Sequence, residues 1–150
     1  MKKLVFAVAF LILSLSSIAQ KSEVSVKMVV NKMFAAMKSS DANGLAECFA
    51  DSAILQTVAK NKEGKVSVRS EPITGFIKQI ANILKGDADE RITFDVVRAN
   101  ADLAIAWTPY RFYYKGNFSH CGVNSFQLVR INNEWKIQYI IDTRRKDDCL

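Results

Sequence analysis

The stretch FSHCGVNSFQLVRINNEWKIQYIIDTRR, residues 118–145, decides the fold. Its apolar residues alternate with polar ones on both sides of Asn132-Asn133, and this pattern predicts two antiparallel strands joined by a two-residue turn. With so short a turn, Leu128 lies opposite Ile137, and the alternating apolar side chains share one core face. That face holds Phe126, Leu128, Trp135, Ile137, Tyr139 and Ile141.

The segments before this hairpin predict more strands. Residues 91–99 alternate as one strand, and residues 103–114 form a long strand with Pro109 inside it. Because proline cannot donate a ladder hydrogen bond, this strand is expected to be bulged or to lie at an edge there. A two-residue turn at Lys115-Gly116 would place Arg111 opposite His120 and Trp107 opposite Asn124.

Helices are predicted nearer the N-terminus. Ser22 can cap a helix whose buried face repeats at helical spacing, and Asp41 can cap a second, short helix. A third helix is expected after Pro72 and should end at Gly86. Strands are expected between the second and third helices, in AILQTV and VSVRS. Helices followed by strands predict a single α+β domain with helices packed on a curved antiparallel sheet.

Two motifs in this order resemble the nuclear transport factor 2-like superfamily, whose fold is a cystatin-like α+β cone. DANGLAECFADSAIL, residues 41–55, is similar to its second helix and first strand, and NNEWKIQYI, residues 132–140, is similar to its last hairpin. WTPYRFYYKGNFSHCGVNSFQL and DTRRKDDC resemble an exported bacterial subgroup labelled lumazine-binding. Arg111 stands where that subgroup commonly has an acidic residue, which puts a charge pair across this strand in doubt.

The resemblance implies a cavity under the helices, and the hairpin registers predict which side chains line it. An apolar concavity with a few convergent polar groups is the usual form of a small-molecule site. The predicted ligand-binding residues are Trp107, Arg111, Tyr113, His120, Asn124 and Tyr139, with Thr143 at the rim. The alternative is a filled cone that holds no ligand.

His120, the only histidine of the chain, and Asp142 are candidate catalytic residues. In the straight register Asp142 points away from His120, and a β-bulge would be needed to turn it inward. With that bulge, Asp142 could hold His120 as a general acid or base. Members of the superfamily use carboxylates and histidines in this way as isomerases and dehydratases. Otherwise His120 is a polar rim residue and Asp142 pairs with Arg144 or Arg111.

Three functions are therefore compared. The favoured one is binding of a small, partly aromatic or polar molecule without turnover. The second is a proton-transfer isomerase or dehydratase that uses His120. The third is a dimerisation module with an empty cone, because the superfamily often dimerises through the outer sheet surface. Exposed aromatic and apolar residues would form that interface: Tyr110, Phe112, Tyr114 and Ile140.

Residues 1–19 read as a signal peptide, with cleavage before Gln20 and a single domain at 20–150. The apolar run after Lys3 has roughly 15 residues, and a membrane-spanning helix needs about 20. We therefore expect export to the periplasm or beyond, with no stable membrane insertion after cleavage. Without Lys2 and Lys3 the formal charge falls from +6 to +4, and the scattered basic residues do not favour nucleic-acid binding.

The chain has three cysteines, Cys48, Cys121 and Cys149. They allow one disulfide, which can form between any of three pairs, or no disulfide at all. The preferred pair is Cys121–Cys149, because Cys48 falls in an apolar helical segment and is expected in the core. Such a bridge closes a loop of about 29 residues and contributes on the order of 3 kcal/mol in the chain-entropy model. The sequence has no metal-ligand or nucleotide motif, so we expect no metal and no cofactor.

Overall fold

The computed structural model describes the backbone of residues 2–149 and the side chains of residues 20–149. Helices precede and flank a sheet, and the elements in chain order are α1 (Lys2–Ser39), α2 (Ala42–Ala46), β1 (Phe49–Lys60), β2 (Val66–Pro72), α3 (Ile73–Ala81), β3 (Ala88–Ile92), β4 (Val96–Asn100), β5 (Leu103–Tyr114), β6 (Asn117–Ile131) and β7 (Glu134–Thr143).

Helix α1 packs one apolar face on the sheet, as its spacing predicted. Val26, Val30, Met33, Phe34 and Met37 are all buried, and the ring of Phe34 packs edge-on against that of Phe126 at 6.1 Å. The helix begins at Lys2, so the prediction that it starts at Ser22 is wrong. The Ser22 hydroxyl accepts a hydrogen bond from Arg130 instead of capping a helix.

The predicted signal peptide, residues 1–19, lies where no side chain is described, and it stays a prediction. Within the part of the chain that the structure describes, no helix has the length and apolarity to cross a bilayer.

Helix α2 forms where its cap predicted it. Asp41 is its N-cap and accepts a hydrogen bond from the backbone nitrogen of Gly44 at 2.9 Å. Leu45, Cys48 and Phe49 are buried, as expected. Helix α3 is shorter than predicted, because it ends at Ala81 and leaves Leu84 exposed in the loop that follows.

The described residues form a seven-stranded sheet in the order β2-β1-β7-β6-β5-β3, with β4 also paired to β5. The α+β cone prediction is confirmed. The predicted antiparallel sheet has one exception, because β1 runs parallel to β7 and the sheet is therefore mixed. Hairpin turns fix the direction of strands that are consecutive in the chain, but no hairpin joins β1 to β7, so the local sequence does not fix their relative direction.

A β-bulge changes the register of the last hairpin. Near the turn, Arg130 lies opposite Trp135 and Leu128 opposite Ile137, as predicted. The register then shifts between Gln127 and Leu128, and Gln138 has no partner on β6. Beyond this bulge the predicted register is wrong by one residue.

The consequence of this bulge is a change of face along β7. Phe126 lies opposite Ile140 and not Tyr139, and Asn124 lies opposite Asp142 and not Ile141. Asp142 therefore shares the inner face, and Tyr139 is on the outer one.

A second bulge, in β6, shifts the pairing of β5 with β6 from the predicted register. Tyr114 pairs with Asn117 at the turn, but the register shifts between Phe112 and Tyr113, and Ser119 is the extra residue. Phe112 therefore lies opposite His120, and Thr108 opposite Asn124. Because side chains alternate along a strand, this shift of one residue reverses the faces of β5 beyond the bulge.

The reversed faces are visible in the burial of β5. Tyr110 and Thr108 are buried on the inner face, whereas Trp107 on the outer face is 46% exposed. The prediction that Tyr110, Phe112, Tyr114 and Ile140 lie exposed on the outer face is wrong. Tyr110 and Ile140 are buried, and Phe112 and Tyr114 line the cavity on the inner side.

The segment predicted as one strand at residues 91–99 is divided into β3 and β4, and both pair with β5. Pro109 lies opposite the break between them, where its carbonyl accepts a hydrogen bond from the backbone nitrogen of Thr93. The nitrogen of a strand residue points to the same side as its carbonyl, so the missing donor of Pro109 faces the break rather than a continuous ladder.

Candidate functional site

A cavity of about 630 Å³ lies between α3, the end of α1 and the inner face of the sheet. Every strand except β4 contributes to its walls. The lining residues are Met37, Leu55, Thr57, Arg69, Ser70, Glu71, Phe76, Gln79, Ile80, Ile83, Ala88, Glu90, Phe112, Tyr114, Ser119, His120, Asp142 and Arg144. The helices supply a mostly apolar wall, and the strands β2, β3, β6 and β7 supply most of the polar one.

Asp142 lies at the centre of the polar wall. Its Oδ2 accepts a hydrogen bond from Nε of Arg144 at 2.8 Å and from the hydroxyl of Tyr110 at 3.3 Å. Asp142 is buried, with 8% of its surface exposed. Since a buried carboxylate is stable only when it is paired and hydrogen-bonded, Arg144 and Tyr110 hold this charge in place.

Gly122 allows Tyr110 to reach Asp142. Tyr110 lies on β5 and Asp142 on β7, with β6 between them, and Gly122 faces Tyr110 across the β5–β6 ladder. A Cβ on Gly122 would collide with the carbonyl oxygen of Thr143. With only hydrogen there, the Tyr110 hydroxyl also donates to that carbonyl at 2.9 Å. Because Gly122 has no side chain, the buried phenol of Tyr110 can link β5 to β7 across β6.

Glu90 is the second carboxyl group of the cavity. Its Oε1 accepts a hydrogen bond from Nδ2 of Asn124 at 2.8 Å, and Asn124 also contacts Thr108 Oγ1 at 3.4 Å. Asn124 and Thr108 are both buried. Glu90 therefore lines the cavity, and its hydrogen-bond partner in the protein, Asn124, is a neutral group.

Burial raises the pKa of Glu90 to about 7, and the negative charge of Asp142 adds to the rise. The hydrogen bond from Asn124 and the charge of Arg144 act in the opposite direction but do not cancel it. Burial likewise raises the pKa of the Tyr110 phenol, again with Asp142 as a contributor. Glu90 therefore changes its protonation state near neutral pH, and Tyr110 stays a neutral donor.

His120 packs between two aromatic rings at the edge of the cavity. Its ring centroid is 5.7 Å from that of Tyr110 and 5.0 Å from that of Phe112. Nδ1 lies 3.1 Å from the hydroxyl oxygen of Ser119. Burial lowers the pKa of His120, and the charge of Arg144 lowers it further. The imidazole is consequently neutral at neutral pH.

The structure brings together only part of the predicted site. His120 and Asp142 both line the cavity, and Asn124 lies beneath it as a support for Glu90. The bulge that would turn Asp142 inward is present in β7. Among the described side chains, however, no hydrogen bond joins Asp142 to His120, because Asp142 is bound to Arg144 and Tyr110.

The other predicted lining residues lie outside the cavity. The shifted register of β5 places Trp107 and Arg111 on the outer face. Tyr113 packs under Arg91, whose guanidinium is 4.2 Å from its ring. Tyr139 and Thr143 are turned outward by the bulge in β7, and the Tyr139 hydroxyl donates to Gln56 instead. The predicted cavity wall was wrong at these positions.

Glu90 and Tyr110 were not predicted as members of the site, and Arg144 was named only as a possible partner of Asp142, which it is. A signal for Glu90 was present. The strand was predicted to start at residue 91, but β3 begins at Ala88, and Ala88, Glu90 and Ile92 alternate along it on one face. Gly122 was a signal for Tyr110, since glycine inside a strand often marks the close approach of another group.

Cys121 and Cys149 are joined in a disulfide with a Cα–Cα distance of 5.8 Å. This is the pair that the sequence favoured. Cys121 also exchanges two backbone hydrogen bonds with Arg145. The tail that carries Arg144 is thus fastened to β6 beside His120. Cys48 is a buried free thiol, as the sequence predicted.

Solved structures of low sequence identity share this architecture. An NTF2-like protein of unknown function from Shewanella baltica is 14% identical with a TM-score of 0.65, over 85% of this chain and 96% of its own. A similar NTF2-like protein from Silicibacter pomeroyi is 16% identical with a TM-score of 0.64, over 84% and 98%. A cystatin-like domain of unknown function from Nostoc punctiforme is 20% identical with a TM-score of 0.63, over 82% and 76%.

The chain has the NTF2-like fold. No protein-family model matches it, and the search of curated proteins finds no match. Identities below 25% show that the fold is shared and nothing about chemistry. The function of this NTF2-like chain must therefore be argued from its own cavity.

Proposed function

We propose that this NTF2-like domain binds a small, partly apolar molecule in its cavity. The observation that carries the proposal is the division of the cavity into an apolar wall and a cluster of mutually bonded polar groups. Phe76, Ile80 and Phe112 can cover the body of a ligand, while Glu90 and Asp142 can orient its polar end. A volume of about 630 Å³ is in the range of ligand pockets, which is about 300–1,000 Å³.

A neutral solvatochromic dye such as Nile red tests this proposal. We expect one dye per chain, with the blue-shifted emission of an apolar environment. Gln79→Trp would fill the cavity from an exposed position of α3 and should abolish the signal. Lys78→Trp, the exposed neighbour outside the lining, is the matched control and should bind as the wild type does. Equal dye binding by both variants would reject the cavity as the site.

The narrower resemblance, to exported lumazine-binding bacterial proteins, remains part of the proposal. Its two segments, residues 107–128 and 142–149, supply Phe112, His120, Asp142 and Arg144 to the cavity. The resemblance is therefore carried partly by the residues that would contact a ligand.

A proton-transfer enzyme is the second candidate, and Glu90 is the observation in its favour. A general base works best when its pKa is close to the working pH, and the pKa of Glu90 is about 7. In this version Glu90 would take a proton from the substrate, and the guanidinium of Arg144, which also lines the cavity, would stabilise the negative charge that develops. His120 with Asp142 stays the alternative base. The decisive result is a Glu90→Gln variant that binds the dye normally but has lost turnover of a substrate.

We also propose that the domain forms a homodimer through the outer face of the sheet. Leu103, Ile105 and Trp107 on β5 are 55%, 45% and 46% exposed, and Val96 lies opposite Trp107 on β4. A contiguous apolar patch of this kind favours a protein contact. Trp107→Glu should convert a dimer to a monomer in light scattering, whereas Arg111→Glu, exposed on the same face of the same strand, should not.

Export to the periplasm or beyond is a further part of the proposal. The Cys121–Cys149 disulfide supports it, because such bonds persist in oxidising compartments. Peptide sequencing of the mature protein should find Gln20 at the N-terminus. An intact Met1 in the exported fraction would reject cleavage at this site.

A further inference from the structure

The charges of the cavity indicate the class of ligand. We propose that the cavity takes an apolar molecule with a cationic amine end, which pairs with Glu90. This inference rests on the proposed function, and it specifies the head group that the site would select.

Acidic groups outnumber basic ones around the cavity. Three carboxyl groups, those of Glu71, Glu90 and Asp142, line it together with two guanidinium groups, those of Arg69 and Arg144. His120 adds no charge, because burial and Arg144 lower its pKa. With Glu90 ionised, the lining therefore has one uncompensated negative charge. A monocationic ligand would neutralise it, and a carboxylate or phosphate would be repelled.

The cations nearest to Glu90 are engaged elsewhere. Arg144 donates to Asp142 at 2.8 Å and to the hydroxyl of Thr57 at 3.2 Å. Lys38 and Arg91 both pair with Asp89, each at 3.0 Å, and Asp89 is adjacent to Glu90 on β3. Successive residues of a strand point to opposite faces, so this ion cluster is directed away from the cavity.

Glu90 itself has one oxygen left for a ligand. Its Oε1 accepts from Asn124, and among residues 20–149 no lysine or arginine forms a salt bridge with it. The two helices that cover it contribute only uncharged side chains: Met37 from α1, and Phe76, Gln79 and Ile80 from α3. Glu90 is only partly exposed. A carboxylate withdrawn from water without a counter-ion is costly, and an ammonium group in the cavity would lower that cost.

The aromatic walls favour the same ligand. Phe76, Phe112 and Tyr114 line the space around Glu90. The faces of aromatic rings attract cations, and they attract them more strongly where water is excluded. An aryl-alkyl amine would bury its ring against this wall and direct its ammonium group to the carboxylate.

Binding of such a ligand is linked to pH in a definite direction. The pKa of Glu90 is about 7 in the free protein. The titratable and charged groups that share the cavity with it are Asp142 and Arg144 from β7 and its tail, His120 from β6, and Arg69 and Glu71 from β2. Tyr110 from β5 binds Asp142 behind them. An amine prefers the ionised carboxylate, so its affinity should rise as the pH increases from about 5 to about 8. At pH values below the pKa of Glu90, binding should release a proton.

The experiment is displacement of Nile red by three probes that share a phenyl ring: 2-phenylethylamine, 2-phenylethanol and phenylacetate. At about pH 8 we expect the amine to bind at least about tenfold more tightly than the alcohol, and phenylacetate to bind most weakly. The preference for the amine should fall at about pH 5, where Glu90 is protonated.

Two variants separate the possible results. Glu90→Gln keeps an acceptor for Asn124 but removes the charge, and should bind the amine and the alcohol equally. Glu63→Gln, in the exposed turn between β1 and β2, should keep the wild-type preference. Tighter binding of the alcohol, or no displacement by any probe when the dye binds, would overturn the inference and leave the cavity as a binding site. Failure of the dye itself to bind would reject the proposed function.

Discussion

Replacing Glu90 by glutamine should make the protein more stable at alkaline pH. The native fold raises the pKa of this carboxyl group from 4.5 to about 7, mainly by burial. The native state therefore holds the proton more tightly than the unfolded chain does. Ionisation then costs native-state stability as the pH rises from the unfolded pKa to the folded one.

The magnitude follows from the two pKa values. Each pH unit between them corresponds to about 1.4 kcal/mol, so the rise from 4.5 to about 7 costs up to about 3 kcal/mol of unfolding free energy at about pH 8. Glutamine does not ionise, so Glu90→Gln should lack this loss. Relative to the wild type, the variant should gain up to about 3 kcal/mol between about pH 4 and pH 8.

The assay is urea unfolding at several pH values with the disulfide intact. Other titrating groups act in both proteins, so they cancel in the difference between wild type and variant. Glu63→Gln, in an exposed turn, is the control and should follow the wild type at every pH. If the difference between Glu90→Gln and wild type were the same at all pH values, the environment derived for Glu90 would be incorrect.

Three further changes test how the polar wall is built, each by urea unfolding. Tyr110→Phe removes the hydroxyl that donates to Thr143 and Asp142, and it should lower the free energy of unfolding by about 1–3 kcal/mol. A loss below about 0.5 kcal/mol would show that these bonds contribute little. Gly122→Ala places a methyl group against the Thr143 carbonyl and should cost at least about 2 kcal/mol, so a neutral result would contradict the close approach of β6 and β7. Cys149→Ser opens a loop with a sequence separation of 28 and should cost about 3 kcal/mol, and a wild-type midpoint under oxidising conditions would contradict the bridge.

The approximate positions of the helices and of the hairpin strands along the chain could be predicted because their signals are local. The buried face of α1 repeats at helical spacing, and the Asp41 cap identifies the start of α2. The turn at Asn132-Asn133 fixes the first pairs of the last hairpin, such as Arg130 with Trp135. In each case a few neighbouring residues determine the conformation.

The site could not be predicted to the same degree, because two inserted residues decide which side chains enter the cavity. Gln138 and Ser119 each add one residue to a strand, and each shifts the pairing with the neighbouring strand by one. In a strand with a period of two, such a shift exchanges the inner and outer faces. Neither residue differs from an ordinary strand position in its local sequence. For this reason Trp107 was expected inside and Tyr110 outside.

The parallel pairing of β1 with β7 has a similar explanation. These strands are far apart in sequence, and their relative direction depends on how the rest of the sheet closes. Thr57 of β1 meets Arg144 in the cavity only because of this pairing. A cavity wall that depends on non-local contacts requires the three-dimensional structure.

The most direct test of the cavity as a binding site is native mass spectrometry of the mature protein isolated from its exported fraction. We predict a small molecule retained at one copy per chain by the wild type and by Lys78→Trp, and absent from Gln79→Trp. If Glu90 selects the head group, this molecule contains a basic amine. A wild-type spectrum identical to that of Gln79→Trp, with no bound mass from any growth condition, would contradict the proposal that the cavity is a ligand site.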